Sequence, residues 1–168
     1  MDKQLDFYEV NTDYIAYLRK FDSKVPHMDY SETSKHDKFM CGIVLSVNGH
    51  DYFAPISSFA IQQRTNMVIK NEKGKPVSSI RFSFMIPIPP NVATAKSIKN
   101  ESSPEYRRLL DLGLRFCRKN ANAIRRMAKH IHNTVVNGKD PSMAKNCCDF
   151  VKLESACAKY QIPCKNEK

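Results

Sequence analysis

The chain has 168 residues and 19.3 kDa, 42% of them hydrophobic and 26% charged, and its 27 Lys and Arg outnumber 17 Asp and Glu for a formal charge of +10. Such a length takes roughly two-thirds of the unfolded surface out of water on folding, and the composition is that of an ordinary globular chain, which excludes general disorder and any need for disulfide staples. No apolar run nears the ~20 residues of a membrane span, and acids stand in the first six residues where a signal peptide would be basic and then apolar, so the expected compartment is the cytoplasm and the expected partner a polyanion, nucleic acid first.

Leu5 to Val10 reads as a short strand, and Asn11 or Thr12 can cap a helix in which Tyr14, Ile15, Leu18 and Phe21 share one face. Asp22 to Asp37 is a polar loop containing Pro26, Tyr30, His27 and His36. Two apolar runs, Phe39 to Val47 and Tyr52 to Ile56, then flank Asn48-Gly49. A type I′ turn needs positive φ at both central residues, so this pair predicts an antiparallel hairpin. Phe59 to Thr65 is a connection with room for one helical turn. Met67 to Ile69 and Ile80 to Ile86 are strand candidates on either side of a turn-rich segment, and Pro87, Pro89 and Pro90 are expected to end the sheet.

From Ser103 the apolar period becomes helical. Ser103-Pro104 supplies a cap and a first-turn proline, followed by Tyr106, Leu109, Leu110, Gly113 and Cys117 as one stripe. A second helix carries Ile124, Met127, Ala128, Ile131 and Val135, is closed by Gly138, and places Arg125, Arg126, Lys129 and His132 on its polar face. A third runs from about Cys148 to Tyr160. The fold expected is α+β and a single domain over 1–168: residues 1–90 mainly β with one early helix, and three helices in 103–160 packed on a small antiparallel barrel or open sheet.

The six cysteines show no C-x-x-C and no paired metal-ligand spacing, so no metal or other cofactor is expected; Cys41 and Cys117 read as buried thiols. RNA can be cut without a metal, since its 2′-hydroxyl can attack the adjacent phosphate and leave a 2′,3′-cyclic phosphate. The protein need only orient the strand, move two protons and stabilise charge. The hairpin offers such a place: Lys38 stands before its first strand and Ser57-Ser58 after its second, which puts a cation and two hydroxyls on one rim. Within that chemistry His36 is the preferred acid-base candidate over His50, which lies at the turn end, and Tyr30 could donate a hydroxyl or stack on a base. Between Arg107 and Lys129 stand eight basic residues (Arg107, Arg108, Arg115, Arg118, Lys119, Arg125, Arg126, Lys129) and one acid, Asp111. This surface would bind the RNA. Two rivals use it differently: a non-catalytic RNA-binding protein, and a DNA-binding regulator whose helices enter the major groove.

Several blocks carry a more specific signal. Phe7-Tyr8, Tyr14-Ile15-x-Tyr17-Leu18, Phe21-Asp22-Ser23-Lys24-Val25-Pro26, Gly42-Ile43-Val44-Leu45, Gly49-His50-x-Tyr52-x-Ala54-Pro55 with its hydroxyl pair, and Phe84-Met85-Ile86-Pro87 resemble the ToxN/AbiQ-like toxins of bacterial type III toxin-antitoxin systems. The resemblance implies an extended version of the small-barrel (MazF/Kid-like) ribonuclease toxins and a metal-independent endoribonuclease. It also implies restraint by a small pseudoknot RNA that the toxin itself cuts from a repeat transcript, a ring-like heterohexameric assembly, cellular or phage RNA as substrate, and abortion of phage infection. On this chain it assigns Lys38 as the active-site lysine, Ser57-Ser58 as the hydroxyl pair and Tyr14 as the tyrosine of the first helix. The family follows its hydroxyl pair with proline and lysine, whereas here Phe59-Ala60-Ile61 intervenes and the next cation is Arg64. Its tyrosine four residues before the lysine is Ser34 here, with Tyr30 further back.

Overall fold

The computed structural model describes residues 3–27 and 38–161. Strand β1 (Asp6–Val10) leads into helix α1 (Thr12–Arg19), which Asn11 caps by accepting the Asp13 N–H. The hairpin follows as β2 (Met40–Val47) and β3 (His50–Ser57). Its turn residues have φ of +54° at Asn48 and +77° at Gly49, which is the pairing that Asn-Gly accommodates. Then come β4 (Asn66–Lys70), β5 (Pro76–Arg81), β6 (Ile86–Ile88) and β7 (Ala93–Ala95), all joined in one seven-stranded sheet of order β4-β5-β3-β2-β1-β7, with β6 also on β3. Every pairing is antiparallel. The sheet is open, and the barrel alternative falls away.

The sheet departs from the expected strands where β3 has two successive partners. Its end pairs with β5 (Ile56 with Ile80) and its start with β6 (Phe53 with Ile86), and the change of register is absorbed by a 3-10 turn, Phe82–Phe84. Ile80 to Ile86 is therefore a broken strand. Nor do the prolines end the sheet: Pro87 sits inside β6 opposite Tyr52, tolerated because β6 pairs only with β3 and needs no donor on its far side. Residues 59–65 hold no helical turn; Gln62 and Asn66 side chains hydrogen-bond that segment instead. In β2, Gly42, Ile43 and Val44 stand opposite Phe53 alone, a bulge in which a Cβ on Gly42 would lie 2.8 Å from the Phe53 ring. Only glycine lets the backbone pass there.

Among the described residues four helices rather than three follow the sheet: α2 (Pro104–Lys119), α3 (Ala121–Val136), α4 (Pro141–Asn146) and α5 (Phe150–Lys159). Ser103, Asp140 and Asp149 cap α2, α4 and α5 through their side-chain oxygens, and Gly138 ends α3 at φ +64°. The core lies between the sheet and these helices. Leu110, Gly113, Leu114 and Cys117 of α2 and Ile124, Ala128 and Ile131 of α3 are buried in it, as are Cys41, Cys117, Cys147, Cys148 and Cys157, all as free thiols. No helix among the described residues is long and apolar enough to cross a membrane.

His132 corrects the reading of α3. It is buried rather than on a polar face, stacked on Phe150 (centroids 5.4 Å, 21°), with Nε2 3.5 Å from Glu154 Oε2. Glu154 Oε1 in turn accepts from the exposed Asn48 side chain at 3.1 Å, so α3, α5 and the tip of the hairpin share one polar network, buried at its helical end and open at the hairpin. A hydrogen bond of this kind contributes about 0.5–1.5 kcal/mol and helps hold the hairpin tip against the helices.

Candidate active site

The antiparallel register of the hairpin sets the site. Met40 lies opposite Pro55, and the Ile56 N–H donates to the Phe39 carbonyl at 3.3 Å. Continued one step, that register puts Lys38 across from Ser57, with Ser58 next in line. These three residues, with Phe39 and Ile56, form a wall shared by two clefts. Lys38 is exposed, and its Nζ donates to the His27 carbonyl at 2.9 Å; the Ser57 Oγ accepts the Phe59 N–H at 3.1 Å, which orients the hydroxyl.

The two sides of the wall differ in chemistry. Toward α2, a cleft of about 330 Å³ is lined by Phe7, Ile69, Val77, Tyr106, Leu109 and Leu110 and is mainly apolar. Toward the loop after α1, a cleft of about 630 Å³ is lined by Arg19, Lys24, His27 and Arg81 besides Lys38, and no carboxylate lines it among the described residues. Several of these cations are tethered by backbone oxygens: Arg19 donates to the carbonyls of Ser23 and Val25, and Lys24 to that of Cys147 at 2.9 Å. They are thereby fixed in place while keeping their charge. An anion entering this side meets positive potential from several directions.

Other candidates are placed elsewhere. Tyr30 and His36 lie outside the described residues. His50 sits at the start of β3, the whole strand away from Ser57. Tyr14 is buried in α1: its hydroxyl donates to the Pro87 carbonyl at 2.5 Å, its ring packs against Tyr17 and Tyr160, and burial pushes its pKa up. It is a neutral donor inside the core and presents no surface to RNA. Arg64 pairs with Asp140 at 2.7 Å; the Met143 N–H, and after it this arginine, hold that carboxyl below its usual range.

The eight cations of α2 and α3 do not form one stripe. Arg108 and Arg115 flank a groove with Lys70 and Lys73, and Arg115 is paired with Asp111 at 2.8 Å. Arg125 and Lys129 border another groove beside β2. Arg118 Nε donates to the Leu5 carbonyl at 2.9 Å and its terminal nitrogen lies 3.8 Å from Asp6; Arg125 donates to the Lys3 carbonyl. These last two hold the N-terminal strand. Arg107 is half-buried, while Lys119, Arg126 and Lys129 are exposed.

Sequence reading passed over Arg81, His27, Arg19 and Lys24 as site residues. The first two have a signal in retrospect: His27 follows the Lys24-Val25-Pro26 block, and Arg81 interrupts an otherwise apolar and hydroxyl strand.

An open antiparallel sheet under a layer of helices, with a lysine and two hydroxyls at a strand end beside a cleft whose described lining holds basic side chains and no carboxylate, defines an α+β protein with a cationic cleft at the rim of its sheet. The model of the toxin ToxN of type III toxin-antitoxin systems matches residues 6–158, and the chain belongs to that family. It is 30% identical over 167 residues to an endoribonuclease ToxN of Bacillus thuringiensis subsp. kurstaki, covering 92% of this chain and 84% of the relative. To an endoribonuclease ToxN of Pectobacterium atrosepticum it is 31% identical over 159 residues, covering 89% and 90%. A solved structure from work on selective inhibition of type III toxins by a non-coding RNA pseudoknot matches with a TM-score of 0.84 at 27% identity, over 94% of this chain and 98% of that one.

Proposed function

We propose that this chain is the toxin of a type III toxin-antitoxin pair, acting in the cytoplasm as a metal-independent endoribonuclease that a small pseudoknot RNA restrains. The observation that carries the reading is the shared wall of Lys38, Ser57 and Ser58 beside the cleft that Arg19, Lys24, His27 and Arg81 also line. The scissile phosphate lies against Lys38, whose ammonium stabilises the charge that develops on the phosphorane, while the serine hydroxyls hold a non-bridging oxygen and align the 2′-hydroxyl. The 2′-hydroxyl oxygen bonds to phosphorus as the 5′-oxygen leaves, giving a 2′,3′-cyclic phosphate and a free 5′-hydroxyl. One proton leaves the 2′-oxygen and one reaches the 5′-oxygen. His27 in the cleft, and Tyr30 and His36 from the segment that follows, are the groups assigned to these transfers. The base beside the cut turns into the apolar cleft, where Tyr106 and Leu109 flank it. The antitoxin RNA, cut by the toxin from a repeat transcript, closes with it into a heterohexameric ring, and cellular or phage RNA is the substrate once the toxin is released.

Purified protein is expected to cut single-stranded RNA in excess EDTA and to leave a 2′,3′-cyclic phosphate, read by mass spectrometry of the fragments. A 2′-deoxy nucleotide at the cut position should block that cleavage. Products ending in 5′-phosphate, or activity lost to EDTA and restored by a divalent ion, would count against the mechanism.

The antitoxin surface is probed with exposed cations that hold no other part of the chain among the described residues. Arg126→Glu with Lys129→Glu should weaken binding of the antitoxin RNA at least tenfold and lower the slope of log Kd against log salt by about 1.5, with melting unchanged. Equal affinity before and after would remove this face from the interface. Arg118 and Arg125 are poor probes, because their charge reversal also releases the Leu5 and Lys3 carbonyls. The same tethering tells against a major-groove reading helix.

A further inference from the structure

Arg81 ends β5 where the strand gives way to the 3-10 turn, so its side chain emerges at the corner between β5 and β6. Its guanidinium carbon lies 4.8 Å from the ring centroid of Phe59 and 4.8 Å from that of Phe84. The charge is thus held between two aromatic faces, one from the segment after the hydroxyl pair and one from the turn. Its Nε is buried with no hydrogen-bond partner, and among the described residues no carboxylate pairs with it. With Nε enclosed, only the terminal nitrogens of this half-buried guanidinium can meet a ligand, and its charge is costly unless an anion completes it there.

Its position says what would. Arg81 and Phe84 line the cationic cleft together with Lys38, Ser57 and Ser58. They also line an adjoining groove with Gln63, Arg64, Thr65, Ser83, Ser142 and Asn146. A strand leaving the cut site along this side must cross Arg81 to enter the groove. We propose that Arg81 is a phosphate-binding residue of the nuclease, taking the backbone phosphate next to the scissile one, with Phe59 and Phe84 holding its guanidinium in advance. The inference rests on the proposed nuclease reading. A planar guanidinium suits the place because it can stack on both rings while its edge meets phosphate oxygens; an ammonium cannot.

The test is a cycle between protein and substrate. RNA oligonucleotides each carry one neutral methylphosphonate at a linkage near the cut, and are compared on wild type, Arg81→Ala and Arg81→Gln, the glutamine keeping a flat group between the rings should alanine unfold. Wild type is expected to lose about tenfold in kcat/KM at one neighbouring linkage. Both variants should lose about as much on unmodified RNA and show no further loss at that linkage. Their binding of a 2′-deoxy-blocked RNA should have a salt slope smaller by about 0.7, one single-strand phosphate contact. Arg81→Lys should not restore kcat/KM. Variants that remain as sensitive as wild type at every neighbouring linkage, or that cut unmodified RNA at the wild-type rate, would overturn the assignment. If wild type does not cut RNA, the nuclease reading fails by itself, and the binding cycle on the blocked RNA still decides whether Arg81 meets a phosphate.

Discussion

Lys38→Ala is expected to lower the single-turnover rate of RNA cleavage by about 10²–10³-fold, and Ser57→Ala with Ser58→Ala by a similar factor, the usual loss on removing one preorganised group aimed at developing charge. The protein should stay folded. Lys38 and Ser58 are exposed and Ser57 only half-buried, so each change should cost within about 0.5 kcal/mol, or about 1–2 °C in melting temperature. Without the lysine the His27 carbonyl gives up the hydrogen bond it accepts from Nζ, but this oxygen faces solvent and water can replace the donor. Growth arrest in cells and cleavage of a labelled oligonucleotide report the same step. If both variants kept wild-type toxicity and wild-type rate, the wall between the clefts would not be where RNA is cut.

Tyr14 gives the second large effect, on stability. Its ring is fully buried, so Tyr14→Ala should cost about 3–5 kcal/mol, a large share of the roughly 5–15 kcal/mol that holds an ordinary domain folded. Tyr14→Phe keeps the ring and removes only the hydroxyl that the Pro87 carbonyl accepts from, at a cost of about 1–3 kcal/mol. Below its melting temperature the Phe variant should cut RNA at the wild-type rate. The alternative, that this tyrosine reaches the substrate, predicts a rate defect in Tyr14→Phe with an unchanged melting curve. Denaturant melts and single-turnover assays on the same preparations separate the two.

The parts that were legible in the sequence are those whose signal is local. Asn48-Gly49 fixed the hairpin turn, and the hairpin fixed the rim, because Lys38 and Ser57 follow from its register alone. The helical stripes of α2 and α3 came from their period. The parts that misled depend on partners distant in the chain. Ile80 to Ile86 reads as an unbroken strand, its first five residues alternating, and only the competition of two pairings along one edge of β3 shows why it breaks at Phe82–Phe84. Helix α4 has six residues, too few for a period to declare itself. His132 stands four residues after Ala128 and so falls on the buried stripe; its residue type, not its spacing, suggested the polar face. Arg81 was invisible as a site residue because Phe59 reaches it only through the β3–β5 pairing, 22 positions back in the chain. Tyr14 was assigned from resemblance, which transfers a position without its burial.

The wall between the clefts acts as a saddle, oily on one flank and cationic on the other. A nucleotide seated astride it sends its base down one slope and its ribose-phosphate down the other, and a paired base cannot do that while still bonded to its complement. On the proposed reading the seat is expected to sort RNA by strandedness before any base is inspected: loops, tails and splayed junctions should fit, and a continuous duplex should be turned away by geometry alone.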